Sequence, residues 1–172
     1  VIVYDPVMDA STGVKLSKHM NWKSPSDLLK GFMLDLLDVS ESKARYEIVE
    51  RIDVNEFPAK TDGFRYTPKT FLDVWNRVSS QHMPQEVNYN AILTQFNILQ
   101  RVANNEIDEV WIFGFPHAGF YESTMGGPGA FWCNAPPLAS TSASKRRFAV
   151  MGFSYERGIG EMHEAYGHRA ES

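Results

Sequence analysis

Cysteine is almost missing from this sequence. Cys133 is the only one in 172 residues, so no disulfide can form within the chain and no metal site can be built from cysteines alone. An excess of positive charge is missing as well. Seventeen Lys and Arg stand against 21 Asp and Glu, a formal charge of −4, which offers no overall attraction to phosphate backbones or anionic lipid surfaces. Neither nucleic acid nor a membrane is expected as a partner. The one basic cluster, Lys145-Arg146-Arg147, stands just before an apolar run, where such residues solvate a strand end. No apolar run has the length that spans a bilayer, and the sequence opens on a strand-like run rather than on a basic segment with a cleavage pattern. Internal repeats and low-complexity tracts are lacking. So are the Gly-x-Ser-x-Gly elbow of serine hydrolases and the P-loop of nucleotide hydrolases, which disfavours both classes. The start at Val1 on a strand-like run and the end at Ser172 inside a helical pattern are expected of a piece of a longer precursor.

What the chain does have is a folded protein's composition, 43% hydrophobic and 13% aromatic, at a length that suits one domain over residues 1–172. Val1 to Tyr4, closed by Asp5-Pro6, reads as a buried strand and a turn, and the stretch to Lys23 as a polar loop. Ser24-Pro25 caps a helix whose Leu28, Leu29, Phe32, Met33, Leu36 and Leu37 recur at helical spacing. Alternation over residues 45–54 predicts a second strand. Thr67-Pro68 opens a helix carrying Phe71, Leu72, Trp75 and Val78, and Asn88 a third running to Asn104-Asn105. Glu109 to Phe115 looks like a central strand buried on both faces. From His117 to about Ala143 the chain reads as a long loop rich in Gly, Pro and aromatics. Phe148 to Phe153 is the last strand, and helix returns from Ile159. Helices alternating with strands predict an α/β fold, a largely parallel sheet with helices on both faces, in a Rossmann-like three-layer sandwich. Ligands of such folds bind at the carboxyl ends of the strands.

Chemistry-bearing residues crowd into the last eighteen positions. His163-Glu164-Ala165-Tyr166-Gly167-His168 is similar to the H-E-x-x-G-H zinc signature of dipeptidyl-peptidase III-like metallopeptidases. On a regular helix five residues turn a side chain by about 140°, so His163 and His168 share one metal only across a π-bulge, which Gly167 permits. The peptidases' third ligand, a glutamate from a later helix, has no counterpart here. Glu161, Glu164, His168 and Glu171 share a face of an unbroken helix and suit cation binding or acid–base work; an ordinary solvated helix face has the same pattern. His117 and Glu122, after the central strand, are placed to join Glu164 and His168 in a mixed His and carboxylate site for a divalent metal, Zn or Ca. Phe120, Tyr121, Trp132 and Tyr155 are candidate substrate contacts, although aromatics also pin long loops to a core.

Over nearly its whole length the chain resembles a family of uncharacterised bacterial α/β domains that look secreted and accompany modules for extracellular polymer degradation. The resemblance is carried by Ile107-Asp-Glu-Val-Trp-Ile-Phe-Gly114, Gly119 through Asn134, and Tyr155 through Ser172. In that family leucine often stands where His163 stands here, while Glu161, Gly167, His168 and Arg169 fit the final motif. The resemblance implies secretion and weights the Glu161, Glu164, His168 face over the histidine pair.

Together these features lead to the expectation of an extracellular hydrolase, metal-assisted, acting on a polysaccharide or peptide in the manner of a glycoside hydrolase or a metallopeptidase. Its expected catalytic residues are Glu164, His168, Glu122 and Glu161, and its expected metal ligands His163, His168, Glu164 and His117. The rival expectation is a non-catalytic carbohydrate-binding or accessory module that uses the aromatic loop. Oligomeric state is not legible.

Overall fold

Ile2-Val-Tyr4 has the β-branched, apolar character of a buried strand and forms β1, each residue 1% exposed. The computed structural model describes residues 1–171; Ser172 lies outside them. A small antiparallel hairpin follows, β2 (Val7–Asp9) with β3 (Val14–Lys15), and runs into the short helix α1 (Leu16–His19). This stretch was expected to be loop, and its strands are too short to carry a pattern. Helix α2 (Pro25–Val39) begins as its sequence predicts: Pro25 occupies the first turn and Ser24 Oγ accepts from the Asp27 N–H. After it come β4 (Ile52–Val54), α3 (Pro68–Trp75), α4 (Tyr89–Gln95) and α5 (Ile98–Ala103). The chain closes with β5 (Glu109–Gly114), β6 (Ser123–Gly126), a 3₁₀ turn at Ser142–Ser144, β7 (Phe148–Ser154) and α6 (Ile159–Ala170).

The main sheet has the order β4-β1-β5-β7-β6. Its β4–β1, β1–β5 and β5–β7 pairs are parallel, and only β6 runs antiparallel, beside β7. The fold is α/β, with a mixed, mostly parallel sheet flanked by helices. On one face the Phe32 ring of α2 meets Trp111 of β5 and Phe153 of β7, and α6 packs beside it through Tyr166. On the other face lie Gly114, under the Phe120 ring, and Gly152, under the Phe120 Cβ and the Tyr121 carbonyl; the Phe120 ring in turn meets Tyr89 of α4. One continuous apolar cluster joins these layers.

Three further expectations need correction. Pairing of β4 is confined to Ile52–Val54 because β1 offers only Ile2–Tyr4 opposite it; residues 45–51 are outside the sheet, and Val49 is 60% exposed. The single helix expected from Asn88 to Asn104 is broken at Asn97, which adopts φ 52° and separates α4 from α5. Asparagine tolerates that left-handed conformation better than most residues. The loop from His117 to Ala143 hides β6, whose sequence Ser-Thr-Met-Gly has no strand signature and is held by its ladder to β7. The basic cluster is structural at its centre. Arg146 donates to the carbonyls of Val102 and Ile107 and pairs with Asp108.

No helix among the described residues is long and apolar enough to cross a membrane.

Candidate active site

Parallel strands end on the same edge, so the loops after them converge. A cavity of about 450 Å³ opens there, beyond the ends of β5 and β7. One flank is built by Lys60, Tyr66, Gln81, His82 and Gln85 with the loop through His117 and Gly119; the other by Glu122, Ser154, Glu156, Arg157, Gly158 and Glu161. Phe120 lines it from below, with its ring against the bare backbone of Gly114 and its Cβ against that of Gly152.

Glu122 is the hub of the second flank. Its Oε2 accepts from Asn134 Nδ2 at 2.8 Å and lies 3.8 Å from His168 Nε2, while Oε1 lies 4.0 Å from the Arg157 guanidinium. One oxygen is thus hydrogen-bonded to a neutral amide with an imidazole nearby, and the other lies nearest a cation. Glu161, also lining the cavity, is engaged elsewhere: its carboxylate accepts the Gly158 N–H at 2.9 Å and closes the first turn of α6. That hydrogen bond, with help from Arg157, holds the Glu161 carboxyl below the usual carboxylate range.

The first flank rests on Lys60, which is 1% exposed. Its ammonium donates to the carbonyls of Gln85, His117 and Ala118 at 2.7, 2.6 and 2.9 Å. Burial pushes its pKa down to about 8, against the pull of Glu86 and Asp62. His117 takes a left-handed backbone, φ 66°, and donates from Nδ1 to Gln81 Oε1 at 3.1 Å. Burial and the Lys60 ammonium hold its imidazole below the ordinary histidine value. His82 stacks on Phe64, ring centroids 3.8 Å apart and planes 11° from parallel, with Nε2 2.8 Å from Asp62 Oδ2. At the end of β7 the Ser154 hydroxyl is buried with no protein partner among the described residues, and the residue lines the cavity.

The expected residues therefore separate. Glu122, His117, Glu161 and Phe120 line the cavity, and His168 backs Glu122. Glu164 is exposed on α6 and does not line it. His163 lies on α2's side: its ring meets Phe32 at 4.9 Å and its Nε2 sits 3.5 Å from Asp35. Because α6 is an unbroken α-helix from Ile159 to Ala170, the five-residue spacing turns His163 and His168 to different neighbours. The four expected metal ligands, His117, His163, Glu164 and His168, do not converge, and no three His, Cys, Asp or Glu among the described residues gather as a metal site. Arg169 of the same motif turns to Glu109 and to the Tyr166 ring.

Among the expected substrate contacts, Tyr155 is fully buried, between the Trp22 and Phe115 rings, with its hydroxyl 3.4 Å from Asp5 Oδ1; it is a core residue. Tyr121 stacks on Tyr89 and does not line the cavity. Trp132 is 64% exposed, two residues before the Asn134 that reaches Glu122.

Lys60, Gln81 and His82 are not singled out by the sequence. They lie in aperiodic stretches, and their only signal was positional: the segment after β4 must emerge at the same sheet edge as the loop after β5. No protein-family model matches the chain, and none of the curated proteins or solved structures matches it.

Proposed function

We propose that the protein is a hydrolase, acting outside the cell on a polysaccharide or peptide, with Glu122 as the carboxylate that takes the proton from the attacking water. The single observation behind this reading is the setting of Glu122. It lines a polar cavity at the carboxyl edge of the sheet, Asn134 donates to it at 2.8 Å, and His168 and Arg157 stand within 4.0 Å of its two oxygens. A base is effective when its oxygens are fixed in reach of the reacting proton, and this arrangement supplies the fixing. His168 and Arg157 are positioning residues. The extracellular setting rests on the resemblance to secreted-type domains.

The experiment is a cleavage screen of wild type and Glu122→Gln on polysaccharides and peptides, with products identified by mass. Cleavage by wild type and its loss in the variant supports the reading; equal cleavage by both overturns it.

A second reading, a non-catalytic carbohydrate-binding module, is favoured by the exposure of Phe131 and Trp132, 37% and 64%, with the Arg147 guanidinium 5.3 Å over the Phe131 ring. Aromatic faces at a surface suit sugar rings. Polymer binding that depends on Trp132, without any cleavage, supports that reading instead.

A further inference from the structure

The first flank of the cavity holds a second acid–base group, unrelated to the histidines of α6. His82 is fixed on three sides. Its Nε2 faces Asp62 Oδ2 at 2.8 Å, Phe64 stacks on one ring face, and its backbone N–H donates to the Tyr66 hydroxyl at 2.9 Å. Asp62 is itself fixed, since its Oδ1 accepts the Phe64 N–H at 3.0 Å. That hydrogen bond, followed by the one from His82, holds the Asp62 carboxyl below its ordinary value. An ionised carboxylate only accepts, so Nε2 must carry its hydrogen, and Nδ1 is the nitrogen left to exchange a proton. The residue lines the cavity, and no hydrogen bond to Nδ1 occurs among the described residues. A ring clamped at one nitrogen and open at the other is the arrangement by which a carboxylate orients a catalytic imidazole.

We propose that His82, oriented by Asp62, is the general acid of the cavity, delivering a proton from Nδ1 to the leaving group of the bond whose attacking water is deprotonated by Glu122. The inference rests on the hydrolase reading and adds its missing half. Hydrolysis without a covalent intermediate needs a base on the water and an acid on the departing atom, on different sides of the reacting bond. The two flanks supply one each. In the step, one O–H bond of water breaks and its proton passes to the Glu122 carboxylate as the water oxygen bonds to the electrophilic carbon. The bond from that carbon to the leaving oxygen or nitrogen breaks, and this atom takes the proton from Nδ1. Glu122 ends protonated and His82 neutral, and solvent returns the proton from one to the other. No oxidant or further reactant enters. Asp62 balances the charge of the doubly protonated ring and is a positioning residue. The other charged groups around His82 are Lys60 and His117 on its own flank, and Glu122, Glu156, Arg157 and Glu161 across the cavity.

Leaving-group dependence tests this directly. Cleavage of paired 4-nitrophenyl and methyl derivatives of the sugar or acyl group identified by the screen is compared in wild type, His82→Gln, Asp62→Asn and Glu122→Gln, with melting curves to establish folding. A 4-nitrophenolate departs without a proton, so His82→Gln should lose on the order of 100-fold or more on the methyl compound and only a few-fold on the nitrophenyl one. Asp62→Asn should show a smaller loss with the same leaving-group dependence, which a merely structural role would not produce. Glu122→Gln should lose both activities alike. If His82→Gln affects both leaving groups equally, or neither, while Glu122→Gln abolishes cleavage, the inference falls and the hydrolase reading stands. If wild type cleaves nothing, both fall.

Discussion

Lys60 Nζ donates to the main-chain oxygen of His117 at 2.6 Å, joining the segment after β4 to the loop after β5 across 57 positions of sequence. Further bonds to Gln85 and Ala118 complete a knot under one flank of the cavity. A buried ammonium held by carbonyls is costly to desolvate, yet removing it leaves three acceptors to find other partners. The flank's shape is therefore a property of Lys60 as much as of the sheet.

Replacing Lys60 with Met should destabilise the fold by about 3 kcal/mol, since each lost charge-assisted bond typically contributes ~1.5–3 kcal/mol and the freed methylene burial offsets part of the loss. The pH dependence gives a sharper signature. With its pKa pushed down to about 8 from 10.5, Lys60 releases its proton in the folded chain before it does so in the unfolded one. Between those pH values the unfolded state binds more protons, so this group makes stability rise with pH. Urea denaturation across that range should show the rise in wild type relative to Lys60→Met; parallel curves would contradict it.

Gly119 permits the same knot. Its φ is +91°, and a Cβ there would stand 2.0 Å from the Gln85 carbonyl oxygen and 2.8 Å from Lys60 Nζ. Gly63 has a similar φ, +88°, with nothing within 4 Å of its virtual Cβ. Gly63→Ala should cost only the left-handed penalty, about 1 kcal/mol. Gly119→Ala adds displacement of a main-chain oxygen and should cost at least about 3 kcal/mol. Equal melting temperatures for the two variants would contradict the close approach.

His163 and His168 should part company on substitution. His163→Ala removes an edge contact with Phe32 and an exposed pair with Asp35, so it should lower stability by roughly 1 kcal/mol and leave cleavage unchanged. His168→Ala frees one side of Glu122 and should slow cleavage on the order of 10-fold. A zinc site shared by the pair would instead lose activity and metal together in either variant.

The contrast between α6 and the cavity shows what was legible in the sequence and what was not. Helical periodicity, the Ser24-Pro25 and Thr67-Pro68 starts and the apolar bursts at 109–115 and 148–153 are local signals, and α2, α3, β5 and β7 follow them. Glu122, His117, Glu161 and Phe120 were reachable because they follow strands that were themselves legible. Lys60, Asp62 and His82 were not. Their meeting depends on the β4-β1-β5 order and on a knot between segments far apart in the chain, neither of which leaves a local pattern. The histidine pair misled for a related reason: its spacing can be counted, but the neighbour each ring turns to is set by α2 on one side and Glu122 on the other.

Trp132 separates polymer binding from chemistry. Since it is 64% exposed, Trp132→Ala should change stability by less than about 0.5 kcal/mol. Affinity for a polymeric substrate should fall by roughly 1 kcal/mol if the ring stacks on it, with cleavage of small soluble substrates unchanged. Co-sedimentation with insoluble polysaccharide measures the first and small-substrate turnover the second. Unaltered binding would remove Trp132 from the surface.

The most direct measurement is the rate at which Glu122→Gln cleaves the substrate found for wild type. The side chain keeps its size and one acceptor oxygen for its donor neighbours, but it no longer takes a proton. A fall in kcat of at least about 100-fold with melting temperature preserved is the predicted result. Undiminished kcat would show that the proton of the attacking water goes elsewhere and that the cavity around Glu122 is not where hydrolysis occurs.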